Sequence, residues 1–367
     1  MPSKGPVRHR PDICDQQRWP GQFRRLQPAS LGVSRSDHCT HARQRHKRPD
    51  LVVLALPVKN WEHGVVPLKY QLGDIVLARA ALSLLRRSAR LDERPLGPDE
   101  IPRPPPRLYD ADGYVVWSQP ITTRLPVLRI RRDAILYVPQ QYRRFFVDLS
   151  GGFERYKSTF SSKTRSGLRR KLRKFAEASG GTIIWRQYRT PDQLASFFSL
   201  AKKVSAKTYQ ERLLGLGLPT HQTFIASAFA LSEQDRVRAY LLFLGGEPIA
   251  YLYCPISERV VSYDRLGYDP TYASLSPGTI LQMLALEALF SEQQFSTFDF
   301  TEGEGQHKEL FSTGHCLCGD VFVVNRRPMP VSLVALHYVV DRASSSIGRI
   351  LERLRVKSRL RRLYRSI

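Results

Sequence analysis

Three strand-length apolar runs follow one another between Arg236 and Tyr268: "RVRAYLLFL", "EPIAYLYCPI" and "RVVSYDRLGY". Gly245-Gly246 separates the first two, and a glycine pair between such runs predicts a tight antiparallel hairpin, here continued by a third strand. Downstream, "SPGTILQMLALEALF" reads as a helix, "STFDF" as a strand, "EGQHKELF" as a short helix and "LCGDVFVV" as a last strand. Upstream, "AILYV", "FFVDL" and "GTIIWRQY" read as strands. "TPDQLASFFSLAKKVSA" and "TFIASAFALSEQD" read as helices, the former with Thr190 as N-cap and Pro191 in its first turn. Alternation of this kind predicts an α/β (α+β layered) fold built on a mixed sheet.

Four segments are expected. Residues 1–50, rich in Arg, His, Pro, Ser and Gln, carry no apolar period and read as a disordered basic extension. Residues 51–133 form an N-terminal subdomain, in which "LVVLAL" is expected as a buried strand and "LGDIVLARAALSLLRRSAR" as a helix. Its proline-rich "RPLGPDEIPRPPPRLYDADG" is expected as a loop. Residues 134–328 hold the regular pattern described above, and 329–367 form a basic helical tail.

The net charge of +24 is concentrated. Residues 1–50 hold eleven Lys/Arg against four Asp/Glu, 154–174 nine against one, and 342–367 nine against one. The remainder is close to neutral, which argues against a basic nucleic-acid-binding core and predicts no DNA partner. No stretch is apolar for the ~18 residues that a membrane-crossing helix needs, and the N-terminus lacks a secretory apolar core, so the cytoplasm is expected. The last helix, with Ile350, Leu354, Leu360 and Leu363 among Lys and Arg, would suit peripheral contact with an anionic membrane. Five cysteines, sparse and odd in number, argue against a disulfide framework. Cys316-Leu317-Cys318 has one residue between thiols where zinc knuckles leave two to four, and its thiols are expected on opposite strand faces; His38-Cys39-Thr40-His41 lacks a second ligand pair. No metal is expected.

Several segments could carry chemistry. In Ser276-Pro277-Gly278-Thr279, Ser276 is a good N-cap and Pro277 fits the first turn, but glycine at the second helical position costs about 1 kcal/mol relative to alanine. It is tolerable in a plain capped helix, or useful where a ligand approaches exposed backbone N–H groups. In "STFDFTEGEGQHKELF", Asp299 sits amid phenylalanines and is followed by Glu302, Glu304, His307 and Lys308, either a ligand-facing cluster or helix-capping acids with a surface lysine. Tyr209 and Gln210, in "KTYQER", could line a substrate mouth or decorate an ordinary loop. Asp264 and Arg265, late in the third run, sit near the same sheet end. No G-x-S-x-G, G-x-G-x-x-G or P-loop sequence occurs, which disfavours a serine hydrolase or a dinucleotide or NTP enzyme.

Taken together, "FERYKSTFSSKTRSGLRRKLRKF", "KTYQERL", the hairpin, "YDPTYASLSPGTILQMLALEAL" and "FDFTEGEGQHKELF" resemble the GNAT acyltransferase superfamily. The nearest branch is the FemAB-like one that includes proteins labelled CelD, with a BioF-type acetyltransferase domain. The resemblance implies a GNAT-like, mostly antiparallel sheet flanked by helices, with residues 51–133 as a degenerate second unit. It further implies acetyl-CoA or another acyl-CoA as co-substrate, its pyrophosphate held at Ser276, Pro277, Gly278 and Thr279, with Lys308 beside it. The reaction implied is transfer of the acyl group to an amine or hydroxyl of a small-molecule, sugar, polysaccharide or peptide acceptor. Asp299, Glu302 or Asp264 would act as base, with Tyr209, Gln210 and Arg265 at the acceptor. A single glycine stands where the superfamily usually has Q/R-x-x-G-x-G/A, so an aminoacyl-tRNA donor, as in FemAB-type ligases, is the alternative, with the helix around Arg165–Lys174 as the tRNA contact. A non-catalytic nucleic-acid-binding protein is the third.

Overall fold

The computed structural model describes Arg24–Arg25 and residues 61–73, 75–105, 111–208 and 217–353. The run "LVVLAL", Tyr209, Gln210 and the tail from residue 354 lie outside the described residues. In chain order the strands are β1 (Arg24–Arg25), β2 (Glu62–Leu72), β3 (Ile75–Ser88), β4 (Gly113–Pro120), β5 (Leu128–Ile130), β6 (Ala134–Tyr137) and β7 (Gln141–Asp148). They continue with β8 (Ile184–Tyr188), β9 (Val237–Leu244), β10 (Glu247–Ser257), β11 (Val260–Ser262), β12 (Arg265–Tyr268), β13 (Thr297–Asp299) and β14 (Gly314–Asn325). The helices are α1 (Phe153–Ser158), α2 (Ser162–Ala178), α3 (Pro191–Ser205), α4 (Gln222–Glu233), α5 (Pro277–Glu292), α6 (Gln306–Phe311) and α7 (Pro328–Arg353).

The strands join in one mixed sheet whose main path runs β1-β8-β9-β10-β11-β13-β7-β14-β4-β3-β2. Most pairings are antiparallel; β11 with β13, β3 with β4 and β1 with β8 are parallel. The sheet is unbroken across residue 133, because β14 pairs with β7 on one side and with β4 on the other.

The hairpin forms as expected, with Gly245 and Gly246 both at positive φ (59° and 84°) in its turn. Its strands are apolar throughout because both sheet faces are covered. Tyr240 and Leu242 of β9, with Leu252 and Cys254 of β10, point to one core, which α1, α2 and α5 close. Ala239, Leu241 and Phe243, with Tyr251 and Tyr253, point to the other, closed by α3 and α4. Leu168, Leu172 and Phe175 are the buried stripe of α2, and Thr190 caps α3 in a full capping box with Gln193.

One expected element differs. Residues 75–88 form the strand β3 and not a helix, despite the helix propensity of their Ala, Leu and Arg residues. Gly73, at φ 59°, follows β2, and β3 folds back antiparallel along it, with Leu72 opposite Ile75. Ala80, Leu82 and Leu84 then alternate onto one face beside Val66, Leu68 and Tyr70 of β2, and α7 covers them. Ladder pairing on both sides of β3 overrides the intrinsic preference. Cys316 and Cys318, expected on opposite faces, share one, their sulfurs 3.5 Å apart, as residues i and i+2 of a strand must.

The C-terminal end of α5 is fixed by a buried guanidinium. Arg238 on β9, fully buried, donates to both oxygens of Glu292 (2.8–3.1 Å) and to Asp235 (2.9 Å and 3.1 Å). Arg238→Ala would leave Glu292 beside the core with Gln187 as its remaining donor, and we expect a loss of about 3–5 kcal/mol in urea unfolding, far above the ~1 kcal/mol of an average substitution.

Candidate active site

The third run, expected as one strand, breaks at Tyr263-Asp264, and the break opens the site. β11 runs parallel to β13 through Ser262 and Asp299; the N–H of Tyr263 makes the last backbone link to the Asp299 carbonyl at 2.8 Å, and the Thr301 hydroxyl donates to the Tyr263 carbonyl at 3.3 Å. Beyond it the paths separate. β12 pairs with β10 alone at its partnered edge, while the other branch passes through Phe300 and Thr301 toward Lys308. A cleft of about 800 Å³ fills the fork, at the carboxyl end of the parallel pair.

Five of the expected site residues meet there: Asp264 and Arg265 on one wall, Asp299, Glu302 and Lys308 on the other. They are not equivalent. Asp299 is buried, and Arg144 of β7 grips it two-handed, Nε to Oδ1 at 3.1 Å and Nη2 to Oδ2 at 2.5 Å. The Thr301 N–H adds a third donor at 2.9 Å. Three donors thus occupy this carboxylate, which holds the floor of the cleft. Asp264 is half-buried, and among the described residues no donor hydrogen-bonds its carboxylate; Arg265 Nε stands 3.7 Å away. Burial raises its pKa, and the neighbouring guanidinium only partly opposes that. Lys308 donates to the Glu302 carbonyl, and burial lowers its pKa against the pull of the Asp299 and Glu302 carboxylates. The Glu302 side chain is exposed.

Ser276, Pro277, Gly278 and Thr279 begin α5 but do not line this cleft. Ser276 occupies the left-handed region (φ 54°, ψ 48°) between a 3-10 turn, Pro270–Leu275, and α5, and its side chain makes no capping bond, contrary to expectation. Gly278 has a packing reason: a Cβ there would lie 3.2 Å from Leu266 and 3.3 Å from Tyr268 of β12. The basic helix α2 packs alongside, and Lys174 Nζ donates to the Ser274 carbonyl at 3.1 Å.

The N-terminal strands complete the cleft, which sequence reasoning missed. Ala89 and Arg90 after β3, and Trp117 and Ser118 of β4, line it. Arg144 also donates to the Ala89 carbonyl at 3.1 Å, tying that wall to the floor. Ser118, at φ 53°, shares a 2.6 Å hydrogen bond with Tyr142, while Asp320 accepts from the Ser118 N–H at 2.9 Å and from Tyr142 at 3.4 Å. Burial pushes the Asp320 carboxyl up to about 6. Partners 24 and 202 residues apart leave no local pattern to read.

Residues 162–309 match the family model of the acetyltransferase (GNAT) domain. The match, over 148 of the 367 residues, supports an acyltransferase enzyme with a GNAT-like domain in that segment. No curated protein matches the chain. Among solved structures, the C-terminal domain of a putative lysylphosphatidylglycerol synthetase from Agrobacterium fabrum is 11% identical, covering 62% of this chain and 72% of its own, with TM-score 0.40. L-PGS from Bacillus licheniformis is 16% identical over 62% and 73%, with TM-score 0.37. FemX is 12% identical over 51% and 62%, with TM-score 0.35. Likenesses this loose fix neither a branch nor a substrate.

Two outcomes test the electrostatics. Asp299→Asn leaves Arg144 buried and half-partnered, and should lower unfolding free energy by about 3–5 kcal/mol. Asp320 is held above its unfolded value of about 3.9, so folding takes up a proton between there and about 6, and stability falls as pH rises through that window. Asp320→Asn should flatten that slope in denaturant titrations run across it.

Proposed function

We propose that the chain transfers an acyl group from an acyl-CoA thioester to an amine or hydroxyl of a sugar-, polysaccharide- or peptide-type acceptor, with Asp264 as the general base. The observation that carries this is the contrast within the cleft: Asp299 is engaged by Arg144 and Thr301, whereas Asp264 faces the same space with no hydrogen-bond donor against it among the described residues. A carboxylate with a raised pKa at such a position suits proton removal from an attacking nucleophile near neutral pH.

The parts divide as follows. Arg144 and Asp299 keep the fork open. Lys308, cationic and partly desolvated, stabilises negative charge that develops on the thioester oxygen as the nucleophile adds. The start of α5 leaves N–H groups at Gly278 and Thr279 without intrahelical acceptors, and the cationic α2 lies beside them, which suits the coenzyme's pyrophosphate. The acceptor enters along the wall that Arg90, Trp117 and Ser118 contribute to the cleft. Arg265 faces the acceptor from across the cleft.

The cationic face of α2 supports a second reading, an aminoacyl-tRNA donor, because Arg169, Arg170, Lys171, Arg173 and Lys174 gather there. Calorimetric titration of the chain with acetyl-CoA, bulk tRNA and duplex DNA separates the readings. Acetyl-CoA binding alone is expected; salt-sensitive tRNA binding without it would replace the proposal with the ligase. On an acceptor found by screening, Asp264→Asn should cut kcat by about 10²–10⁴ while leaving acetyl-CoA affinity within about twofold. The wild-type rate should rise with pH through a pKa above the usual carboxylate range, and Asp264→Asn should lose that limb.

A further inference from the structure

Helix α7 has two apolar faces. One is buried: Val334 is fully covered, and Leu333, Tyr338 and Val340 pack with it over β2 and β14. Tyr70 of β2 donates to the Leu333 carbonyl at 3.1 Å, and the Gly73 N–H at the β2–β3 turn donates to Ser344 at 2.9 Å, so helix and hairpin form one unit. The other face is bare. Met329, Leu336, Val339 and Ile347 are exposed at 70%, 54%, 61% and 46%, and at 3.6 residues per turn they fall within about 80° of one another. Ile75 and Leu77, just past the turn that α7 holds, are exposed at 68% and 57%. Exposed apolar side chains aligned over nearly five turns, next to a second apolar tip, are not the scattered singles of an ordinary surface.

Charge decides what covers them. From Arg342 onward the sequence carries nine Lys/Arg and one Glu, and it continues fourteen residues past Arg353. A second copy docking through this stripe would bring two such cationic segments together, and a nucleic acid would satisfy the charge but leave the stripe in water. An anionic lipid surface takes up both: the apolar side chains enter the headgroup boundary and the basic residues meet the lipid phosphates. We infer that the exposed face of α7, with the β2–β3 tip beside it, docks this protein on an anionic membrane surface. The inference is independent of the acyl-transfer reading.

The test is flotation of the full chain with phosphatidylcholine vesicles, with and without phosphatidylserine, beside the double variant Leu336→Glu/Val339→Glu. Both substituted positions are solvent-exposed, so the variant should fold, and matching thermal melts check this. The wild type should float with phosphatidylserine vesicles and release at high ionic strength, and the variant's bound fraction should drop about tenfold although its basic tail is intact. Equal flotation of the two proteins would assign binding to the tail and overturn docking through the stripe. So would absence of wild-type binding, or a wild-type dimer in solution that the variant converts to monomer, since that would give the stripe to a second copy.

Discussion

The Arg144–Asp299 pair is the constraint on which the site depends. Each charge would be costly alone in that position, and a two-point grip with further bonds from Thr301 and to Ala89 offsets the cost of removing both from water. Three separate parts of the chain meet at this contact: β7, the end of β13 and the residue after β3. β13 is held by β7 on one side and by β11 on the other, and past β11 the chain turns into β12, which pairs with β10. The satisfied pair forms the floor of the open fork, and Asp264 lies just past the last backbone bond of the parallel ladder.

The same logic orders the helix behind the fork. α5 carries no amphipathic pattern, since its faces meet β9, β10 and β12 as well as α1 and α2. Its placement is set at its ends: Arg238 fixes the last turn through Glu292, and Gly278 lets the first turn sit against Leu266 and Tyr268. The glycine that looked like an invitation to a ligand is explained by packing, yet the packing is what aims the helix start.

What the sequence revealed was local. The glycine-linked β9–β10 hairpin, the α3 capping box, the stripe of α2 and the convergence of Asp264, Arg265, Asp299, Glu302 and Lys308 each rest on residues close in the chain or on one recognisable order of elements. What it concealed was pairing across distance. Arg144, 155 residues from Asp299, carries no sign of its partner. Nor do Trp117 and Ser118 show that β14 will draw β4 beside β7. Residues 75–88 mislead for another reason: Gly73-Asp74 is a hairpin signal, but the helical propensity of Ala, Leu and Arg hides the two-residue alternation of Leu82 and Leu84.

The position of β14 has an implication for how the molecule comes into being. It lies between β7 and β4, so the strand synthesised last among the fourteen is the one that joins the two halves of the sheet. Until residues 314–325 leave the ribosome, the halves share no central ladder, and the wall of Trp117 and Ser118 cannot be set against the floor of Arg144. Assembly of the cleft therefore waits on β14, and the edges of β7 and β4 stay open until that strand pairs with both.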